Sequence, residues 1–333
     1  MLICLPLEEE RVPDFSKERS PAPEPSIEQP LAEPAQPPRL FSWQVAVMLV
    51  IIVVAWATPN VIGRYLAVKS ALTPLQISAL RYLPASLTLL IYCLLSRKSK
   101  TLFITLKTHW LHLLVASVIL TSFVILQMYS VTLTNASASS FLLNINPVVT
   151  FLLSLVILKE RHRWWGGVGV VIASCGIFFI AVPIENLALV FNREVLLGNL
   201  LAFLSGVMWA FYSVYLKRFL KTENPIVVTT WNLSFSATIL LIAMFAVDGW
   251  FSSPPAYYHI ILTVFMGIVP TAIAFTLWFE TIRRIPVQKA SVFQFLIPII
   301  ATLFALTMGE TIDWFFALGG VLILGGLLLT QFA

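Results

Sequence analysis

Ten stretches of about twenty apolar residues, separated by short polar breaks, occupy the chain from residue 42 onward. A helix needs about 20 predominantly apolar residues to cross the hydrocarbon of a bilayer. Backbone N–H and C=O groups cannot go unpaired there, so each stretch reads as a helix. The pattern predicts an all-α membrane protein of ten transmembrane helices. They fall near 42–66, 74–95, 110–133, 137–158, 164–182, 196–217, 225–247, 259–282, 288–309 and 313–332. Only 11% of the 333 residues are charged, against roughly 25% for a soluble domain that must face water.

Residues 1–40 differ: they are rich in Glu and Pro, with little to bury, and read as a disordered cytoplasmic tail. The tail has no basic n-region and no cleavage site, so an uncleaved anchor starting near Phe41 is expected rather than a signal peptide. The net charge of +5 does not point to nucleic acid, because Lys and Arg form short clusters between apolar runs. Cys4, Cys93 and Cys175 have no CxxC spacing, so neither a disulfide framework nor a metal site is expected.

Lys and Arg are enriched in cytoplasmic loops. With the N-terminus inside, seventeen of the twenty-one fall in inside segments; Arg64, Lys69 and Arg193 fall outside, and Arg81 lies within a span. Ten spans with both termini cytoplasmic, in a plasma (inner) membrane, fit this alternation. Trp43, Trp110, Trp164, Trp165, Trp250 and Trp314 fall at span ends, where an amphipathic ring suits the interface. Trp56, Trp209, Trp231 and Trp278 lie within spans and need another explanation.

The two halves repeat. Trp56 pairs with Trp209, Pro74 with Pro225, Pro147 with Pro298, Glu160 with Glu310 and Gly169 with Gly319, at offsets of 153, 151, 151, 150 and 150. Arg64 and Lys217 each follow the paired Trp by eight residues. A unit of five spans is odd in number, so its second copy enters the membrane inverted. Residues 41–183 and 196–333 are the expected repeats, joined by a linker at 184–195. Inverted repeats recur in secondary transporters, with substrate held near the midplane between the halves.

Specific stretches close each half: SASSFLLNINPVVTFLLSLVILKE (137–160) and KASVFQFLIPIIATLFALTMGE (289–310). Together with PLQISALRYLPA (74–85) and LWFETIRRIPVQKA (277–290), they resemble the drug/metabolite transporter superfamily, in particular proteins with two EamA domains. The resemblance covers about 42–332. It implies a ten-helix transporter of small metabolites, often an exporter of amino acids or related compounds. The related four-helix multidrug exporters carry a membrane glutamate in their first helix. Here the first span has Thr58 and Asn60 instead, which argues against proton-coupled export of cationic drugs.

Polar groups within spans should face the bundle interior. The expected substrate-binding set is Trp56, Asn60, Arg81, Gln127, Asn144, Trp209, Tyr212, Ser213 and Gln294. Each has a plainer reading as helix–helix packing. Arg81 could attract a substrate carboxylate, or could only bond to groups on neighbouring helices. Pro147 and Pro298 are expected to kink their spans and act in gating, leaving the Leu143 and Gln294 carbonyls free. The glycines of the fifth and tenth spans suit close packing of a support layer. His109 and His112 lack a third ligand nearby and read as interfacial; Glu280 and Arg284 form an i,i+4 pair.

No catalytic residue, cofactor or metal is expected. The expected partners are a small-molecule substrate and the bilayer, and not nucleic acid. Energy would come from gradients, since no nucleotide-binding motif is present. A facilitative exchanger or uptake permease is the alternative. A membrane-embedded enzyme would need paired aspartates, a Ser–His pair or HExxH within spans; a receptor gains nothing obvious from an inverted repeat.

Overall fold

The computed structural model describes residues 42–133, 139, 142–160, 164–181, 193–251, 254–300 and 314–332. Among the described residues there are helices and no strand. Helix α1 is Trp43–Lys69, α2 Pro74–Leu95, α3 Ser99–Leu133, α4 Asn146–Leu158 and α5 Trp164–Ala181. In the second half, α6 is Arg193–Leu220, α7 Pro225–Val247, α8 Tyr257–Arg284, α9 Val287–Ile300 and α10 Trp314–Phe332. Six of these (α1, α2, α3, α6, α7 and α8) are long and apolar enough to cross a membrane; the described apolar parts of α4, α5, α9 and α10 are shorter. The expected tail, most of the linker and the later part of the ninth span, with Glu310, lie outside the described residues.

Local chemistry sets the ends of α2 and α7 in the same way. Thr73 caps α2: its hydroxyl accepts from the Gln76 N–H while the Gln76 side chain accepts from the Thr73 N–H. Asn224 caps α7 by accepting from the Ile226 N–H. Pro74 and Pro225 follow, where a missing N–H costs nothing. Beyond each helix stands one residue with left-handed backbone, Arg97 (φ 55°) and Gly249 (φ 69°). The Lys98 and Gly249 N–H groups then reach back to the Cys93 and Met244 carbonyls, the latter shared with the Asp248 N–H.

The tryptophans divide as their positions suggest. The six at span ends are exposed, suited to an interface, whereas Trp209 and Trp278 are buried. Trp231, half-buried, donates through Nε1 to the Leu102 carbonyl and ties α7 to α3. A second tie joins α3, α6 and α7: Asn232 Nδ2 donates to Tyr212 OH at 3.2 Å, and Ser236 Oγ donates to the Ser117 carbonyl.

Two expected outlines change. Helix α3 begins at Ser99 rather than near 110, with one non-helical residue at His109 (φ −124°, ψ 21°) marking where the basic entry segment meets the apolar run. Around that entry, His109 lies 3.2 Å from Glu223 and His112 Nδ1 is 2.8 Å from Tyr215 OH. Pro147 does not kink a continuous fourth span. It stands in the first turn of α4, after a turn at Asn144–Ile145, because a residue without an N–H is tolerated where no helical partner is required.

Helices α5 and α10 run antiparallel in tight contact. A Cβ on Gly169 would fall 2.6 Å from the Gly326 carbonyl oxygen, and one on Gly176 would fall 2.6 Å from that of Gly319. The pairing is reciprocal: each glycine meets the repeat counterpart of the other. That is the contact pattern of a two-fold axis. Between antiparallel helices such an axis lies across the helix direction.

Candidate functional site

A proline organises the centre of α8. Pro270 cannot donate to the Met266 carbonyl, and the helix widens into a π-helical segment over Ile268–Ile273. The Thr271 hydroxyl takes over that carbonyl at 2.8 Å. Two groups from the first half of the chain then bind the segment. Trp56 Nε1 donates to the Pro270 carbonyl at 2.9 Å, and Arg81 Nε donates to the Thr271 hydroxyl at 2.7 Å. Gly267 lets α2 approach: a Cβ there would lie 2.5 Å from the Arg81 carbonyl oxygen.

Beside this junction is an open pocket that encloses about 530 Å3 when the solvent space at its mouth is included. Its lining includes Trp56 and Pro59 of α1, Arg81 of α2, and Phe123 and Gln127 of α3. Leu143, Asn144 and Asn146 at the start of α4, Trp209 of α6, Phe275 of α8, and Gln294 and Ile297 of α9 complete it. Aromatic rings make its floor. Trp56 meets Trp209 edge-to-face at 5.0 Å, and Phe275 lies 5.8 Å from Trp56 and 5.4 Å from Trp209. Such contacts add about 0.5–1.5 kcal/mol per pair beyond burial.

Arg81 is the charged group of the lining. It is 3% exposed and has no carboxylate partner among the described residues. An arginine at a helix centre costs about 2.5–3.5 kcal/mol on insertion scales, and one hydroxyl offsets little of that. Three further buried atoms in lining residues have no hydrogen-bond partner: Trp209 Nε1, Asn146 Oδ1 and Gln294 Nε2. Unsatisfied buried groups are rare and call for a reason. A polar ligand would give one.

Of the residues expected to bind substrate, the structure brings Trp56, Arg81, Gln127, Asn144, Trp209 and Gln294 to one cavity. It sets Tyr212 and Ser213 behind the floor: Tyr212 OH accepts from Asn232, and Ser213 Oγ accepts from Trp278 Nε1 at 3.1 Å. Both were expected in the site because their polarity pointed inward; helix–helix bonds satisfy that polarity instead. The side chain of Asn60 lies outside the described residues. Pro298 follows a 3-10 segment at Val292–Phe295, where the Gln294 carbonyl accepts from the Leu296 N–H and so is not free. The Leu143 carbonyl likewise accepts from Asn146 Nδ2 at 3.1 Å.

Pro59, Phe123, Phe275 and Ile297 also line the cavity, and Pro270 and Thr271 support it, without being apparent in the sequence; Asn146 joins them as an intramembrane polar residue. A proline in mid-span followed by a hydroxyl residue was the available signal for Pro270 and Thr271.

Comparison with known proteins agrees with this architecture. The EamA-like transporter family matches twice, at residues 43–182 and 196–332. An uncharacterized transporter of Clostridium kluyveri is 25% identical over 282 residues, covering 84% of this chain and 90% of that protein. The uncharacterized transporter YyaM of Bacillus subtilis is 25% identical over 194 residues, 57% of this chain and 62% of that one. A probable terminal-alkyne amino-acid exporter of Streptantibioticus cattleyicolor is 27% identical over 197 residues, 58% and 63% of the two chains. One solved crystal structure superposes with a TM-score of 0.73 at 20% identity, covering 87% of this chain and 98% of its own, and shares the fold. With both halves matched, the chain belongs to the EamA-like transporter family: it is a multi-pass membrane transporter and not an enzyme.

Proposed function

We propose that this chain is a secondary exporter of small organic metabolites, amino acids or close relatives, working by alternating access between two inverted five-helix repeats. In this reading the ten helices are ten crossings, both termini are cytoplasmic and the membrane is the plasma (inner) membrane. The observation that carries the proposal is the meeting of Trp56 and Trp209. These residues correspond in the repeat, and they touch at 5.0 Å on the floor of a cavity lined from both halves. The reciprocal glycine contacts of α5 and α10 and the matched caps of α2 and α7 support the same symmetry. Exchange of conformations between such halves turns an outward-open state into an inward-open one.

The lining spans the middle of the proposed bundle: Arg81 lies seven residues into α2 from its outer end, and Gln294 seven into α9 from its inner end. Residues at that depth suit a site reached from each face in turn. Donor groups and a cation among aromatic rings suit a carboxylate carrying an apolar or aromatic portion. Export rather than uptake, and amino acids as cargo, draw on the named activity of the Streptantibioticus relative. Pro147 and Pro298, at the turns where α4 and α9 begin or resume, are the proposed gating hinges. Facilitative exchange is the second reading, favoured by a lining with no Asp, Glu or His among its described residues to carry a coupling proton.

Purified protein in proteoliposomes, loaded with a panel of amino acids, should exchange internal for external radiolabelled substrate. Silence across amino acids, other organic carboxylates and neutral metabolites would remove the proposed substrate class. Movement of lipophilic cations alone would overturn the carboxylate reading.

A further inference from the structure

On the far side of the tryptophan floor, one ammonium ties three cavity-lining helices together. Lys217 lies eight residues beyond Trp209 in α6, roughly 12 Å along the axis at ~1.5 Å per residue. Its Nζ is 2.9 Å from Glu160 Oε1, at the exit of α4, and donates to the Ile285 carbonyl at 2.7 Å, at the exit of α8. The same three helices supply Trp209, Asn146 and Phe275 to the cavity.

The backbone is built to present these acceptors. Helix α4 ends in a π-helical turn over Ser154–Leu158, and Lys159 then takes left-handed geometry (φ 53°). The Glu160 N–H reaches back to the Ser154 carbonyl at 3.1 Å, which anchors its backbone at the exit of α4. Ile285 leaves α8 in an extended conformation while its own N–H still bonds Thr281. Glu280, the other acid nearby on α8, is occupied by Arg284 at 2.5 Å and Arg283 at 3.8 Å.

We infer that Lys217, Glu160 and the Ile285 carbonyl form the latch that closes the transport path on the Lys217 face of the membrane, and that it must break for the cavity to open there. The inference rests on the alternating-access reading. The choice of chemistry supports it. Lys217 and Glu160 are 15% and 20% exposed, so both are mostly removed from water. The attraction within such a pair is largely offset by lost hydration. Water entering an opening path returns that hydration, so the latch can exchange protein partners for water at small net cost. An apolar seal of the same size would resist wetting. The sequence counterparts of the pair, Arg64 and Glu310, lie outside the described side chains and carry no part of the inference.

The test reads conformation, not cargo. In full-length protein with Cys4, Cys93 and Cys175 replaced, Ile297→Cys supplies a reporter in the cavity wall. A membrane-impermeant maleimide is applied to one face of sealed vesicles at a time. The parent should label from the face opposite Lys217. Lys217→Met and Glu160→Gln should each raise labelling from the Lys217 face about tenfold, the change produced by ~1.4 kcal/mol in a conformational equilibrium. Lys217→Arg, which keeps the charge pair, should label like the parent. If both disruptive variants lose thermal stability yet label as the parent does, the contact is only structural and the latch is wrong. Because labelling needs no substrate, a shift in labelling without movement of amino acids would retain the latch and remove the amino-acid export reading. Transport without a shift would do the reverse.

Discussion

The seam between α5 and α10 and the junction of α1 with α6 both join one repeat to the other, yet they are built from opposite materials. At the seam, glycines bring backbones together so closely that a Cβ on Gly326 would lie 2.4 Å from the Gly169 carbonyl oxygen. At the junction, two tryptophans meet edge-to-face beside a cavity, and several polar atoms around it lack partners. Without a hydrophobic drive between helices in lipid, association depends on van der Waals packing and hydrogen bonds. The seam saturates the first, which suits a fixed support. The junction leaves both incomplete, which suits a site that must accept cargo and change shape.

Overpacking the seam should break this contrast most severely. Gly176→Leu, pressed against Ile323 and the Gly319 carbonyl, is expected to cost about 3 kcal/mol or more, read as loss of folded protein and a lower Tm in detergent. Gly320→Ala and Gly325→Ala meet nothing within 4 Å and should leave Tm unchanged or slightly raised. Equal damage from all three would deny the seam its special status.

At the junction, Arg81→Met should lower exchange of carboxylate substrates by about tenfold to a hundredfold, as expected for a charge-assisted hydrogen bond of ~1.5–3 kcal/mol. Folding should survive, because Thr271 keeps its bond to the Met266 carbonyl. If thermal stability collapses instead, Arg81 is a helix tie and not a receptor.

The paired tryptophans sharpen the comparison further. Trp56→Phe loses the bond to Pro270 and should reduce stability by ~1 kcal/mol. Trp209→Phe removes an N–H that has no partner in the protein and also trims buried ring contacts, so substrate KM should rise alongside a modest fall in Tm. The smallest expected effect is that of Ser213→Ala, whose hydroxyl only receives Trp278 Nε1 behind the floor; substrate KM should not move.

Much of this organisation is legible in the chain. Apolar run lengths mark out the helices, and the landmarks spaced near 150 residues anticipate that Trp56 and Trp209 belong together. Six of the nine expected binding residues line one cavity because polar groups in an apolar span have few other places to go. What the sequence does not reveal depends on backbone geometry. Pro147 opens a helix instead of bending one, a difference set by the turn before it. Pro270 works through a π-helical segment whose carbonyl and hydroxyl partners, Trp56 and Arg81, lie 214 and 190 residues away. Tyr212 has the composition of a site residue, and only the proximity of Asn232 reveals its use as a tie.

The proposed inverted pairing of the two halves underlies the account, and the exits of α2 and α7 test it directly. Arg97 and Trp250 follow those matched helices, each near its left-handed exit. Arg97→Cys and Trp250→Cys, introduced singly into a cysteine-free chain in sealed vesicles, should react with an impermeant maleimide from opposite faces of the membrane. Reaction of both from the same face would mean the copies run in parallel and would contradict the account.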